Sequence, residues 1–302
     1  MLTPPLDVSD TVPVGMLRHR LALGVALVDA VRGGAALGPL RVELESIGPY
    51  RPPADRPAGL PARLEPHGAD RHAARYAGAI AKLVDRCVAN ALDTSWVLRI
   101  YAPLDAAARA FDPARDARHY VPRRMRLTPV FDAGVPAATP LNIRQITLWP
   151  GAAAPLPSTA TCVRGRVLRG PDIASGEPVP YARLAASVPA SETNFAAATV
   201  VGRGAADERG EFVLVIEARA MSGAGLVNPV PLRLWAFAPP AQAPDPNDAL
   251  ASVPVEDAGT ATDSDILRGL TVPAGYTEQV SKTLACNLGE TLSGTAATLL
   301  LP

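Results

Sequence analysis

Leu17, His19, Leu21, Leu23, Val25 and Leu27 share one parity along the chain. A period of two sends alternate side chains to one face, so this stretch predicts a strand with one buried side. Gly33, Gly34 and Gly38 then mark a turn. Leu40, Val42 and Leu44 resume the alternation against Arg41, Glu43 and Glu45, which completes a strand–turn–strand unit. The period changes once. Tyr76, Ile80, Leu83, Val84, Cys87, Val88 and Ala91 recur at helical spacing behind Asp70, a residue type suited to an N-cap. They predict a single helix over about 70–92, packed on a sheet or covering its open end. β-formers return at residues 95–102 and 119–130, the latter expected near a sheet edge because Pro122 and Pro129 cannot donate to a ladder. Ile143, Gln145, Thr147 and Trp149 predict a short strand or interdomain strap.

Beyond residue 158 the pattern is strands at a spacing near ten: 161–169, 178–188, 195–203, 210–219 and 229–237, most of them separated by Gly-rich turns. That punctuation fits a Greek-key sandwich. Alternation returns at 271–273, 276–284 and 291–300, and Leu299, Leu300 and Leu301 make an apolar end suited to adding a strand to this sheet or a partner's. The expected organisation is an extended N-terminal arm (1–15), a β-sandwich carrying the helix (16–132), a linker or strap (133–158), a second sandwich (159–238), a Pro-rich acidic linker (239–265) and a C-terminal β tail (266–302). The fold class is mainly β: two tandem Ig-like, transthyretin-like sandwiches with one inserted helix and extended arms at both ends.

Composition sharpens this. The 24 Gly and 32 Pro among 302 residues interrupt helices and favour short strands, while 48% hydrophobic residues suffice for a core. The 29 basic residues cancel the 29 acidic ones, which does not favour a protein built to coat nucleic acid. The balance is uneven along the chain: residues 1–130 carry a net +5, and residues 239–302 hold 2 basic and 8 acidic residues. A basic front and an acidic tail suit head-to-tail pairing, although ordinary surface variation gives the same numbers. Cys87, Cys162 and Cys286 are odd in number and widely spaced, so buried reduced thiols are expected rather than disulfides or a zinc knuckle. The first fifteen residues lack the basic and apolar regions of a secretory signal, and no run is long enough to span a bilayer. Cytoplasmic synthesis without a signal peptide is expected, with later incorporation into a particle left open.

Three motifs in the second half carry a resemblance. Arg164-Gly165-Arg166-Val167 opens a strand, Gly176-Glu177-Pro178-Val179 makes a turn and a strand, and Asp207-Glu208-Arg209-Gly210-Glu211-Phe212 leads into the next strand. Residues 161–216 thereby resemble the carboxypeptidase regulatory-like, or transthyretin-like, domain. Asp207 is expected to cap its turn, Gly210 to take a positive φ, and Phe212 and Leu214 to point inward. Ala206 stands where the family usually has Thr. Residues 25–44 follow the same strand–turn–strand grammar and read as a degenerate copy. The resemblance implies no chemistry of its own, since such domains serve as spacers, adhesive modules or assembly units. The overall layout resembles structural proteins of contractile phage tails and related injection systems.

Catalytic signatures are thin. His-Glu-x-x-His, Gly-x-Ser-x-Gly and Gly-Lys-Ser/Thr motifs are absent, and Gly202 and Gly204 lack the third glycine of a dinucleotide fingerprint. His67, Asp70 and His72 are near enough in sequence to touch one metal, but they fall where loop becomes helix, and a solvated cluster is the plainer reading. Asp245, Asn247, Asp248, Asp263 and Asp265 lack the spacing of a calcium loop. No cofactor or metal is expected. The strongest surface signal is Arg118, Arg123, Arg124 and Arg126 around Tyr120 and Val121, which suits an acidic protein partner, the 239–265 linker of a neighbour for instance, ahead of nucleic acid. A solvated strand face is its bland alternative. Arg118, Arg123, Arg124, Arg126, Leu299, Leu300 and Leu301 are therefore the candidate partner-binding residues. The expected function is a non-enzymatic assembly protein, in a homo-oligomer or a hetero-assembly with other protein subunits, with no membrane partner. A ligand- or carbohydrate-binding adhesive module and a hydrolase with an unrecognised site are the alternatives.

Overall fold

The computed structural model describes residues 20–51, 60–68, 70–105, 111–113, 115–116, 119–131, 142–217 and 228–302. The expected arm at 1–15 and Arg118 lie outside these residues. The first half forms β1 (Leu21–Asp29), β2 (Arg41–Ile47), β3 (Glu65–Pro66), β4 (Arg71–Arg75), α1 (Gly78–Ala89), β5 (Trp96–Tyr101), β6 (Arg123–Leu127) and β7 (Ile143–Leu148). The second forms β8 (Cys162–Arg169), β9 (Glu177–Pro178), β10 (Arg183–Val188), β11 (Thr199–Ala205), β12 (Glu211–Val215), β13 (Val230–Ala238), β14 (Val255–Gly259), the single turn α2 (Asp265–Arg268), β15 (Glu278–Cys286), β16 (Thr291–Leu292) and β17 (Leu299–Leu301).

The chain is mainly β and builds two sandwiches. In the first, the sheet β3-β4-β1-β7 faces the sheet β14-β6-β5-β2. Leu23, Val25 and Leu27 share its core with Val42, Leu44, Leu98, Ile100, Met125 and Leu127, so the alternation seen in the sequence does select the inner face. In the second, β11-β10-β13-β15 faces β12-β8-β16, with β9 and β17 also paired to β8. Val163, Val167, Phe212 and Leu214 meet Leu184, Ala186, Leu232 and Leu234 in its core. The turn before β12 follows its sequence chemistry. The Asp207 carboxylate accepts from the N–H groups of Arg209 and Glu211, both at 2.9 Å, Gly210 has φ +69°, and Phe212 and Leu214 are buried.

Four expectations change. The helix starts at Gly78 rather than near Asp70, because residues 71–75 pair with β1 as β4 and bury His72 and Ala74. Its N-cap, Ala77, makes no side-chain cap, and the Asn90 side chain closes the other end by donating to the Arg86 carbonyl at 2.7 Å. β6 is an inner strand between β14 and β5, and its two prolines fall just outside the ladder. The segment 239–265 is not a free linker. It returns to the first sandwich and adds β14 in parallel to β6, with Leu250 and Val253 buried. The tail 266–302 is not a projecting arm. β15 pairs with β13 over nine residues, and β16 and β17 pair in parallel with β8.

His72 is 4% exposed, and neither ring nitrogen has a hydrogen-bond partner. Burial pushes its pKa below the ordinary value, against the opposing pull of Asp70, so the folded chain holds it neutral. Below about pH 6.5 the unfolded chain takes up a proton that the folded chain refuses, and stability falls as the pH drops towards the folded pKa. His72→Leu is expected to flatten this acid limb by roughly 1 kcal/mol between pH 7 and pH 5. Urea unfolding at the two pH values measures it, and an unchanged slope refutes the assignment.

Candidate functional site

Three elements converge where the sandwiches meet. β6 brings Arg123 from the first sandwich, β10 brings Arg183 from the second, and β14 brings Glu256 between them. Glu256 Oε2 accepts from Arg123 Nη2 at 2.6 Å, and Oε1 lies 2.5 Å from Arg183 Nη2. The three are 2–6% exposed. Burial works against the Glu256 charge, but Arg123 and Arg183 outweigh it and hold the carboxyl below the usual glutamate range. Arg123 spends all five N–H donors. Nε and one Nη2 proton go to Glu256, and the rest go to the carbonyls of Thr147, Ile266 and Leu267 at 2.7, 2.8 and 3.0 Å. Both guanidiniums also lie on the Trp149 indole, Arg183 at 3.8 Å and Arg123 at 4.6 Å from the ring centroid. Gly269 closes α2 with φ +69° and packs against the same indole, where a Cβ would overlap the ring.

An apolar seam surrounds this cluster. Tyr101, Val121 and Trp149 from the first sandwich meet Tyr181 and Ala205 from the second, with Leu250 and Val253 of the returning segment between them. A second ion cluster ties that segment down. Arg124 grips Glu45 through Nε (2.6 Å) and Nη2 (2.5 Å), and its Nη1 donates to the carbonyls of Ala251 and Val253. Arg99 bridges Glu45 and Asp248. The outermost arginine, Arg126, is half exposed and stands 3.7 Å from Asp257.

The sequence-predicted site residues are thus mostly spent inside the chain. Arg123, Arg124 and Arg126 do meet an acidic segment, but it is residues 245–257 of the same chain rather than a neighbour's. Leu299 and Leu301 are 1% and 0% exposed in the second core, and Leu300 is partly buried. Their backbone pairs with Val167, Leu168 and Arg169, so of the two expected outcomes the end adds its strand to this chain's own sheet. Arg183, Glu256 and Trp149 escaped the sequence reading as a group. The available signal was Val253-x-Val255, an apolar alternation within an acidic stretch. His67, Asp70 and His72 do not assemble: among the described residues, no three His, Cys, Asp or Glu side chains are grouped to hold a metal. Cys87, Cys162 and Cys286 are buried free thiols. No helix among the described residues is long and apolar enough to cross a membrane.

Beside the seam lies an apolar groove of about 390 Å³ at one end of the first sandwich. Pro39, Pro103, Pro150, Pro155 and Pro157 wall it together with Leu156, and Leu37, 53% exposed, also lines it. Arg32 and His119 also line it, and its Asp29–Tyr120 pair is already engaged. Asp29 accepts from the Tyr120 hydroxyl at 2.8 Å and from the N–H groups of Val31 and Arg32 at 2.8 and 2.9 Å, and the Tyr120 oxygen accepts from Leu37 N–H at 3.0 Å. What the groove offers is shape and apolar surface. A different polar group faces the seam from the second sandwich. Burial and the charge of Asp207 push the Glu208 carboxyl up to about 7, and Glu208 Oε2 has no hydrogen-bond partner.

No protein-family model matches this chain, and no curated protein matches it. Two solved structures share a distant likeness. The 9R-lipoxygenase from Cyanothece PCC8801 aligns at 15% identity over 49% of this chain and 17% of its own, with a TM-score of 0.24. The Bacillus anthracis TIE protein aligns at 8% identity over 94% of this chain and 34% of its own, with a TM-score of 0.23. This chain therefore spans less than two-fifths of the length of either protein.

Two predictions follow from the ionised groups of the seam. Glu256→Gln removes the shared counter-charge from two buried guanidiniums and is expected to cost about 3–5 kcal/mol in urea unfolding, against less than 1 kcal/mol for the exposed Asp257→Asn. Equal costs would show that Glu256 is not the tie. Glu208 binds its proton more tightly folded than unfolded, so its contribution is full below about pH 4.5 and is lost as the pH rises through 7. Glu208→Gln is expected to leave stability unchanged at pH 4.5 and to raise it by about 1–2 kcal/mol at pH 8.

Proposed function

We propose that this chain is a structural protein of a larger assembly, a stiff two-sandwich spacer that makes protein–protein contacts, in a particle of the contractile phage-tail, baseplate or injection-system kind. One observation carries the reading: the sandwiches are fastened by a buried ion cluster and an exchanged strand, an arrangement suited to holding two surfaces at a fixed distance. Domains of one chain ordinarily move relative to each other unless such ties hold them. The proline-walled groove beside Leu37 supports the reading further, because Asp29 and Tyr120 at its base are bonded to each other and its walls leave apolar surface for a neighbour's side chains. The carbohydrate-module alternative has less support. Trp96, Trp149 and Trp235, the residues best suited to a sugar platform, are each at most 2% exposed.

Co-sedimentation tests the proposal. A tagged chain expressed in its own host under conditions that produce particles is expected to travel with them in a density gradient. Leu37→Asp is expected to shift at least tenfold more of it to the soluble fraction without altering its unfolding midpoint. A wild-type chain that stays soluble throughout overturns the proposal.

A further inference from the structure

The second sandwich leaves one long strand edge open. β15 pairs with β13 from Glu278 to Cys286 without a bulge, and nothing among the described residues pairs with its other side. Pro231 has no N–H and sits opposite Ala285. β10 ends opposite Leu232 or thereabouts, so the missing donor is tolerated on that flank and wasted on the β15 flank. The register then turns the even-numbered residues of β15 towards β13. The N–H and C=O groups of Gln279, Ser281, Thr283 and Ala285 point outward. Other exposed edges are shorter or occupied. α2 packs against β7, and the backbone of residues 62–64 bonds to β2.

This edge complements itself. Two copies of β15 placed antiparallel about a two-fold axis at Val280 exchange backbone bonds between Gln279 and Ser281, and they set Glu278 of each copy opposite Lys282 of the other. Those opposite residues form non-hydrogen-bonded pairs, the positions where side chains approach most closely. An axis at Lys282 would oppose the two lysines, and an axis at Ser281 pairs neither charge with its opposite. Charge thus selects one register. Lys282 keeps one donor for it: its ammonium carries three protons and bonds the carbonyls of Thr295 and Thr298, at 3.1 and 3.4 Å. Glu278 is 39% exposed beside Arg169. A lysine on an edge strand also discourages indiscriminate pairing, which leaves the charge-matched copy as the permitted partner.

We propose that β15 is a dimerisation edge whose partner is a second copy of this chain, joined antiparallel with Glu278 facing Lys282. The inference rests on the assembly reading for its role, and names one contact of that assembly. Light scattering on the purified full chain is expected to give twice the 31.4 kDa chain mass at micromolar concentration. Gln279→Pro removes an outward N–H while sparing the β13 ladder, and is expected to yield monomer with an unchanged unfolding midpoint. Lys282→Glu is expected to weaken the dimer at least tenfold, and Glu278→Lys with Lys282→Glu to restore it. A wild-type chain that is monomeric at several hundred micromolar, or a dimer indifferent to Lys282→Glu or not rescued by the charge swap, overturns the inference. A monomer leaves the assembly reading standing on other contacts. Failure to sediment with particles leaves the dimer standing.

Discussion

One carboxylate shared between two arginines organises this molecule. Glu256 is too deeply buried to keep its charge without compensation, and the compensation comes from opposite directions, Arg123 in the first sandwich and Arg183 in the second. Neither sandwich supplies both. A Glu256 that is both buried and ionised therefore requires the two bodies and the intervening strand to be in register. Trp149 adds a second condition, because its indole is the floor on which both guanidiniums rest and its flank requires the bare backbone of Gly269. Directional bonds of this kind fix an angle more narrowly than an apolar contact of similar area does, since apolar packing has no preferred heading.

The strands were largely legible in the sequence, and the reasons are local. Leu23, Val25 and Leu27 alternate because one face of β1 is core, and Asp207 to Phe212 spell out a turn whose Asp207 carboxylate bonds only to N–H groups within five residues. What escaped reading was set by partners distant in sequence. Residues 71–75 look like the first turn of a helix until β1 claims their backbone. Residues 239–265 look like solvated linker because their apolar content is small; Leu250 and Val253 suffice only because Tyr101 and Tyr181 lie ready to bury them. The arginines of β6 and the acids of the linker were both visible, and their attraction was foreseeable. That they answer each other within one chain was not, since charge specifies a complement and says nothing about whose it is.

The same economy shapes the surface. Polar groups fasten turns and strands: Asp29 with Tyr120, Asp207 with the N–H groups that follow it, Glu45 with Arg99 and Arg124. Left outward are a proline-walled groove and a strand edge. Each is a feature of shape and backbone more than of side-chain chemistry.

The detour of the chain carries a consequence for how this protein comes into being. Residues 239–265 leave the second sandwich after β13, complete the outer flank of the first with β14, and go back to supply β15. During synthesis the first sandwich must wait, one strand short and with Arg123 unanswered, until more than a hundred further residues have left the ribosome. The two halves are braided rather than threaded like beads, so their maturation is a joint event with long-range closures, the slow kind. A single cut within the returning segment would consequently injure both sandwiches at once.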